Sequence, residues 1–205
     1  MESRLAQWRR FIGGLPVNDP ANDALVASWQ RSLVAGAGPA SLPAMLQVPG
    51  VVLARRQQRR TELIDTARPY LHSLLQTLSG SSSVCYLTDE DGIVLYSCGD
   101  PEHLKLFGLT PGHDRSEQAM GTNGAGTCLA MGRPTAVVGP DHFSSAFHDC
   151  TCTAAPVRGP EGELLGAVDV SSSVADARPD RLRFVALIAQ SIEQALQARS
   201  RSSMR

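Results

Sequence analysis

The sequence predicts an α+β domain in which an antiparallel sheet is flanked by helices and preceded by an N-terminal helical extension. Two turn signals, Asp91-Gly92 and Gly159-Pro160-Glu161-Gly162, each separate two short β-rich runs. Helical periodicity brackets them, with Ile64, Ala67, Leu71, Leu74, Leu75 and Leu78 on one stripe and Leu182, Val185, Ile188, Ile192 and Leu196 on another. The resulting order is helix, two-strand unit, irregular middle, two-strand unit, helix, which describes helices covering an antiparallel sheet.

Asp19-Pro20 reads as a helix opening, with Leu25, Val26, Trp29 and Leu33 at helical spacing behind it and Gly36 to Pro39 as the stop. Residues 40–57 are less regular. The helix from Thr61 should kink or restart at Pro69, because proline lacks the N–H that an interior turn needs. Strands follow at Val84 to Thr88 and Ile93 to Cys98. Gly-rich residues 121–126 lead into a short apolar run through Cys128, and then a strand at Thr135 to Val138. One or two helical turns fit Asp141 to His148. The last two strands span Cys150 to Val157 and Glu163 to Ser171. Phe184 and Leu187 widen the apolar face of the final helix, as packing on a sheet and on a second helix requires.

With 42% hydrophobic and 19% charged residues in 205, one compact core is expected. The division is residues 1–57 as the helical extension, 58–200 as the domain and 201–205 as a tail. A net charge of -1 gives no overall reason to bind nucleic acid. The run Arg55, Arg56, Arg59 and Arg60 reads as a solvated face or, less simply, as a contact with nucleic acid or an output domain. The start has no apolar core of signal-peptide length and no stretch reaches 18 apolar residues, so a cytoplasmic protein with no membrane contact is expected. Five cysteines, an odd number without an export signal, point to reduced thiols.

Chemistry concentrates in His148-Asp149-Cys150-Thr151-Cys152. On a strand, His148, Cys150 and Cys152 share one face. Cys150 and Cys152 would then stand about 6.6 Å apart, near the upper limit for a disulfide, so a bond between them would be strained. The competing readings are small buried core residues, or zinc or iron ligands with help from Cys128 or His142. A small-ligand pocket is a separate reading: Phe107, Met120, Phe143 and Phe147 as walls, Asn123 and His142 as polar anchors. His72, His103 and His113 read as surface residues.

Four segments in order, Gly121-Thr122-Asn123-Gly124-Ala125-Gly126-Thr127, Gly139-Pro140-Asp141-His142-Phe143, Cys152-Thr153-Ala154-Ala155-Pro156 and Gly166-Ala167-Val168-Asp169-Val170-Ser171, resemble a GAF domain. With Ser28-Trp29-Gln30-Arg31-Ser32, they resemble more narrowly the N-terminal sensory region of sigma54-dependent bacterial activators of the acetoin- and glycerol-metabolism type. The resemblance implies a non-enzymatic sensory domain, often a homodimer, that binds a small molecule or registers redox or metal state. Its terminal helices would relay that state to an AAA+ or DNA-binding output module in the same or another chain. Asn123, Cys128, His142, Phe143, Phe147 and Cys152 are the ligand-binding candidates; Cys128, His148, Cys150 and Cys152 are the redox or metal candidates. No cofactor is required, with zinc or iron as the metal alternative. Two relatives of the fold set the alternatives: iron-bearing gas sensors, from which Cys150 departs by standing where they have a histidine, and free methionine sulfoxide reductases, whose cysteines lie near Cys128 and Cys152. The Walker phosphate loop of a complete activator is absent.

Overall fold

A computed structural model describes residues 3–17, 23–40, 43, 45–78 and 82–203. At its centre is a five-stranded antiparallel sheet of order β2-β1-β5-β4-β3. The strands are β1 (Val84–Asp89), β2 (Val94–Gly99), β3 (Thr135–Val138), β4 (Cys150–Arg158) and β5 (Leu164–Ser173). All five match the expected strands within two residues at either end. Gly92, at φ 90°, supplies the left-handed residue that the β1–β2 turn requires.

The helices are α1 (Arg4–Ile12), α2 (Ala24–Val34), α3 (Gly50–Arg59), α4 (Thr61–Thr77), α5 (Pro101–Leu106), α6 (Glu117–Met120), α7 (Gly124–Met131) and α8 (Arg181–Ser203). Two 3-10 turns, Gly139–Asp141 and Ser145–Phe147, fill the stretch where short helical turns were expected. Three features differ from expectation. The Asp19-Pro20 opening lies outside the described residues, and Asp23 caps α2 by accepting from the N–H groups of Leu25 and Val26. α4 runs unbroken through Pro69, held on its buried side by the sheet and by α8. Periodicity gave no sign of α1, α5 or α6, each too short or too polar to repeat a clear apolar stripe.

α4 and α8 cover one face of the sheet. Leu71, Leu87, Val168, Val170, Val185 and Ile192 meet there in a sealed apolar core. Side chains of the opposite face, pointing the other way by the two-residue period, meet α7 and the loops.

The N-terminal extension is packed onto this second side. Trp8 and Trp29 donate their indole N–H groups to the carbonyls of Phe143 (2.9 Å) and Asp141 (2.7 Å). The Ser28-to-Ser32 segment is a clamp. Arg31 grips Glu117 with two hydrogen bonds of 2.7 and 2.9 Å, while Ser28 bonds Glu117 and stands 2.7 Å from the Thr122 hydroxyl. Three of the four clustered arginines are also explained. Arg56 pairs with Asp89 and Asp91, and Arg59 and Arg60 with Glu90, tying α3 to the β1–β2 turn.

Candidate functional site

A cavity of about 350 Å³ opens at the end of the second sheet face. Its floor is a row across three strands, because the register places Val84 opposite Ser171 and Ser171 opposite Cys152. Cys150, two residues along β4, extends the floor; Phe107, Arg115, His142 and Phe147 close it from the loops. A larger depression of about 850 Å³ near Arg59, Glu62 and Asp65 has exposed charged walls and none of the buried groups found here.

Arg115 is 3% exposed, and its backbone N–H bonds Gly92 O at 2.8 Å. One terminal nitrogen donates to Phe107 O at 3.0 Å and the guanidinium lies 5.7 Å from the Phe147 ring centre, but its Nε has no hydrogen-bond partner. Behind it, Tyr86 stands opposite Asp169 on β1 and β5, both fully buried. The Tyr86 hydroxyl lies between the Arg115 guanidinium and the Asp169 carboxyl, yet it and Asp169 Oδ2 make no hydrogen bond of good geometry, while Asp169 Oδ1 lies 2.7 Å from the Ser171 hydroxyl. Burial pushes the Asp169 carboxyl well above the usual carboxylate range, so the uncharged acid is the favoured form. Orphaned buried polar atoms mark places where a partner or an ordered water belongs.

His142 is 1% exposed, with Nδ1 3.0 Å from Gly139 O and Nε2 3.3 Å from Cys152 Sγ. A carbonyl can only accept, so Nδ1 carries the proton and Nε2 accepts from the thiol. Burial lowers the imidazole pKa to about 4 and raises that of Cys152. The pair is therefore neutral thiol and neutral imidazole, not the thiolate–imidazolium couple of a cysteine nucleophile.

The other candidates disperse. Phe147, Cys150 and Cys152 join His142 at the cavity, whereas Phe143 packs against Val26 and Trp29. Met120 is buried and does not line the cavity. Asn123 caps α7: its Oδ1 accepts from Gly126 N and its amide nitrogen donates to the carbonyls of Arg115 and Gly121. Its glycine neighbours serve packing. Gly121 adopts φ 69°, and a Cβ on Gly124 would come within 2.1 Å of Asp169 Oδ2. Cys128 sits with Ala154 and Ala167, its thiol pKa raised by burial. His148 does not share a strand face with the two cysteines, because β4 begins at Cys150 and His148 closes the preceding 3-10 turn, edge-on to the Trp8 ring at 4.7 Å. Among the described residues, no three His, Cys, Asp or Glu side chains converge on a metal position. All five cysteines are free, and the two that oppose each other directly across strands are Cys85 and Cys98.

Arg115 and the serines of β5 are the residues that sequence reasoning passed over. Arg115 lies in the irregular middle, where no period announces its direction. Ser171 was recognised as part of a strand, and the alternation along β5 would have placed it on the face of Cys152 once the register was known. His103, read as a surface residue, is half-buried and lines the cavity.

A five-stranded sheet with a partly open cavity and a packed helical extension defines a GAF-like domain. The chain belongs to the MimR N-terminal domain family, whose model matches residues 7–195, across both the extension and the sheet. It is similar to the acetoin dehydrogenase operon transcriptional activator AcoR of Bacillus subtilis, 32% identical over 201 residues, covering 96% of this chain and 33% of that protein. It is also similar to the propane 2-monooxygenase operon transcriptional activator MimR of Mycolicibacterium smegmatis, 30% identical over 166 residues, covering 78% of this chain and 27% of that one. The chain thus spans about a third or less of the length of these relatives. The solved structure of the DhaR N-terminal region with DhaL from E. coli has the same fold, with a TM-score of 0.84 at 19% identity over 91% of this chain and 63% of that one. No helix among the described residues is long and apolar enough to cross a membrane.

Proposed function

We propose that this chain is the signal-input domain of a bacterial transcriptional activator and that a small oxygenated metabolite in the β4–β5 cavity is its signal. The observation that carries the reading is the cavity itself, lined by apolar and polar groups together, with unpartnered buried atoms around its floor. The names of relatives agree, since acetoin and glycerol operons concern molecules of three or four carbons. Occupancy would tighten β4 and β5 around the ligand and bias their packing against α8, whose C-terminal end would relay the change. The output module, AAA+ or DNA-binding, would make the nucleic-acid contact, and the protein would work in the cytoplasm. A homodimer would use the exposed Phe184 and Leu187 on α8, since Ile192 is committed to the core.

Thermal-shift and calorimetric titration with three- and four-carbon diols, ketols and hydroxy acids tests the proposal. Binding is expected, and Ser173→Trp at the cavity mouth should abolish it while leaving the melting temperature of the free protein nearly unchanged. Equal binding by the blocked variant, or no binding by any member of the panel, would overturn it.

A further inference from the structure

The cavity holds a positive charge without a carboxylate partner. Among the described residues no carboxylate lies within ion-pair distance of Arg115, although the guanidinium is almost wholly removed from water. Buried guanidinium groups are ordinarily paired, because an unpaired charge loses its hydration and gains nothing in return. Each nearby acid fails to neutralise it. Asp169 stands behind Tyr86 and burial favours its uncharged form. Asp149 is at the exposed rim, where water screens its field. His142 and Cys152 are neutral. A second guanidinium, Arg181, reaches the far wall by donating to the Ser172 hydroxyl at 2.6 Å. Among the described residues neither guanidinium has a carboxylate within ion-pair distance and both leave Nε without a hydrogen bond, but Arg115 is the one whose side chain lines the cavity.

We infer that the ligand is a short organic carboxylate, anchored on Arg115, with a second hydroxyl or keto oxygen directed at the serines of β5. The Arg115 guanidinium, which lines the cavity, offers a carboxylate oxygen the charge-assisted bond that this group makes best. Phe107, Phe147 and Val84 supply apolar walls for the carbon chain, and Ser171 and Ser173 supply hydroxyls on the strand opposite Cys152 and Cys150. The inference rests on the proposed sensory function and goes beyond it, since a neutral diol or ketol would satisfy that function and leave Arg115 without a counter-charge.

The test pairs acids with uncharged molecules of the same size, using isothermal titration of the whole chain. The probes are 2-hydroxybutanoate and 2-oxobutanoate against 1,2-butanediol and 3-hydroxy-2-butanone. At least one acid should bind about tenfold or more tightly than both neutral probes, the effect of one charge-assisted bond. Arg115→Gln should remove that preference, and Arg115→Lys, which keeps the charge but not the planar fork, should retain part of it. A neutral probe that binds as well as the acids, in the wild type and in Arg115→Gln alike, would overturn the carboxylate anchor while leaving the sensory cavity standing. No binding by any of the four would overturn the carboxylate anchor and leave the sensory reading to the wider panel of three- and four-carbon compounds. The acid-versus-neutral comparison on the wild type decides the matter even if an Arg115 variant fails to fold.

Discussion

One strand, β5, serves two different chemistries. Toward α4 and α8 it presents Val168 and Val170, packed with Leu71, Leu87 and Ile192 in a core that is predominantly apolar. Toward α7 and the loops it presents Ala167, Asp169 and Ser171, beside Tyr86, Cys152 and an arginine with an unused donor. The first face is stabilised by removing apolar surface from water. The second contains buried polar atoms whose partners are incomplete, an arrangement that costs stability and is retained where a ligand completes it. The contrast teaches where to look for function: at the place where a sheet stops behaving like a core.

The two faces should answer substitution in opposite ways. Leu71 is fully buried, so Leu71→Ala should cost about 2–5 kcal/mol in denaturant titration, the range for a core leucine whose site cannot collapse. A loss under 1 kcal/mol would show that the α4 side is not the sealed core described.

A pH effect of on the order of 3 kcal/mol should come from the cavity face. The folded-state pKa of His142 is depressed from 6.5 to about 4, so between those values the unfolded chain binds the extra proton. Its contribution is fully present above pH 6.5 and is lost as pH falls toward 4. Asp169 opposes it, because a raised carboxyl pKa favours the folded state at low pH. The difference in pH-dependence between wild type and His142→Gln isolates the histidine, and an unchanged slope would contradict its buried neutral state.

Arg115→Met should raise the stability of the ligand-free protein by about 1 kcal/mol, since an apolar side chain replaces an unpaired buried charge. A large loss would mean that Arg115 is structural, and the contrast between the faces would blur. The smallest effect is kinetic. Only Cys150, half-buried and with its pKa pushed up to about 12, should alkylate slowly in the native protein, while Cys85, Cys98, Cys128 and Cys152 react after unfolding. Mass spectrometry of labelled peptides reads this directly.

Legibility followed the range of the interactions. The hairpins at Gly92 and Gly159–Gly162 and the stripe on α8 are local patterns, and they appeared where expected. The Glu117 clamp could not be read, because Ser28 and Glu117 are 89 residues apart and nothing in either segment names the other. His148 misled because parity along a strand presumes that the strand has begun, and it begins two residues later. Asn123 was recognised as a polar group in a glycine-rich turn, yet its bonds go to the backbone of α7 and not into the cavity.

By itself the sequence determined the α+β class, the five strands, the apolar stripe of α8, and the resemblance that leads to the family, since all of these rest on spacing of residues close in the chain. Only the tertiary structure decided which side chains share the cavity. Arg115, His142, Cys152 and Ser171 come from separate loops and strands, and they are brought together by sheet register and loop packing, long-range geometry that a local pattern does not encode.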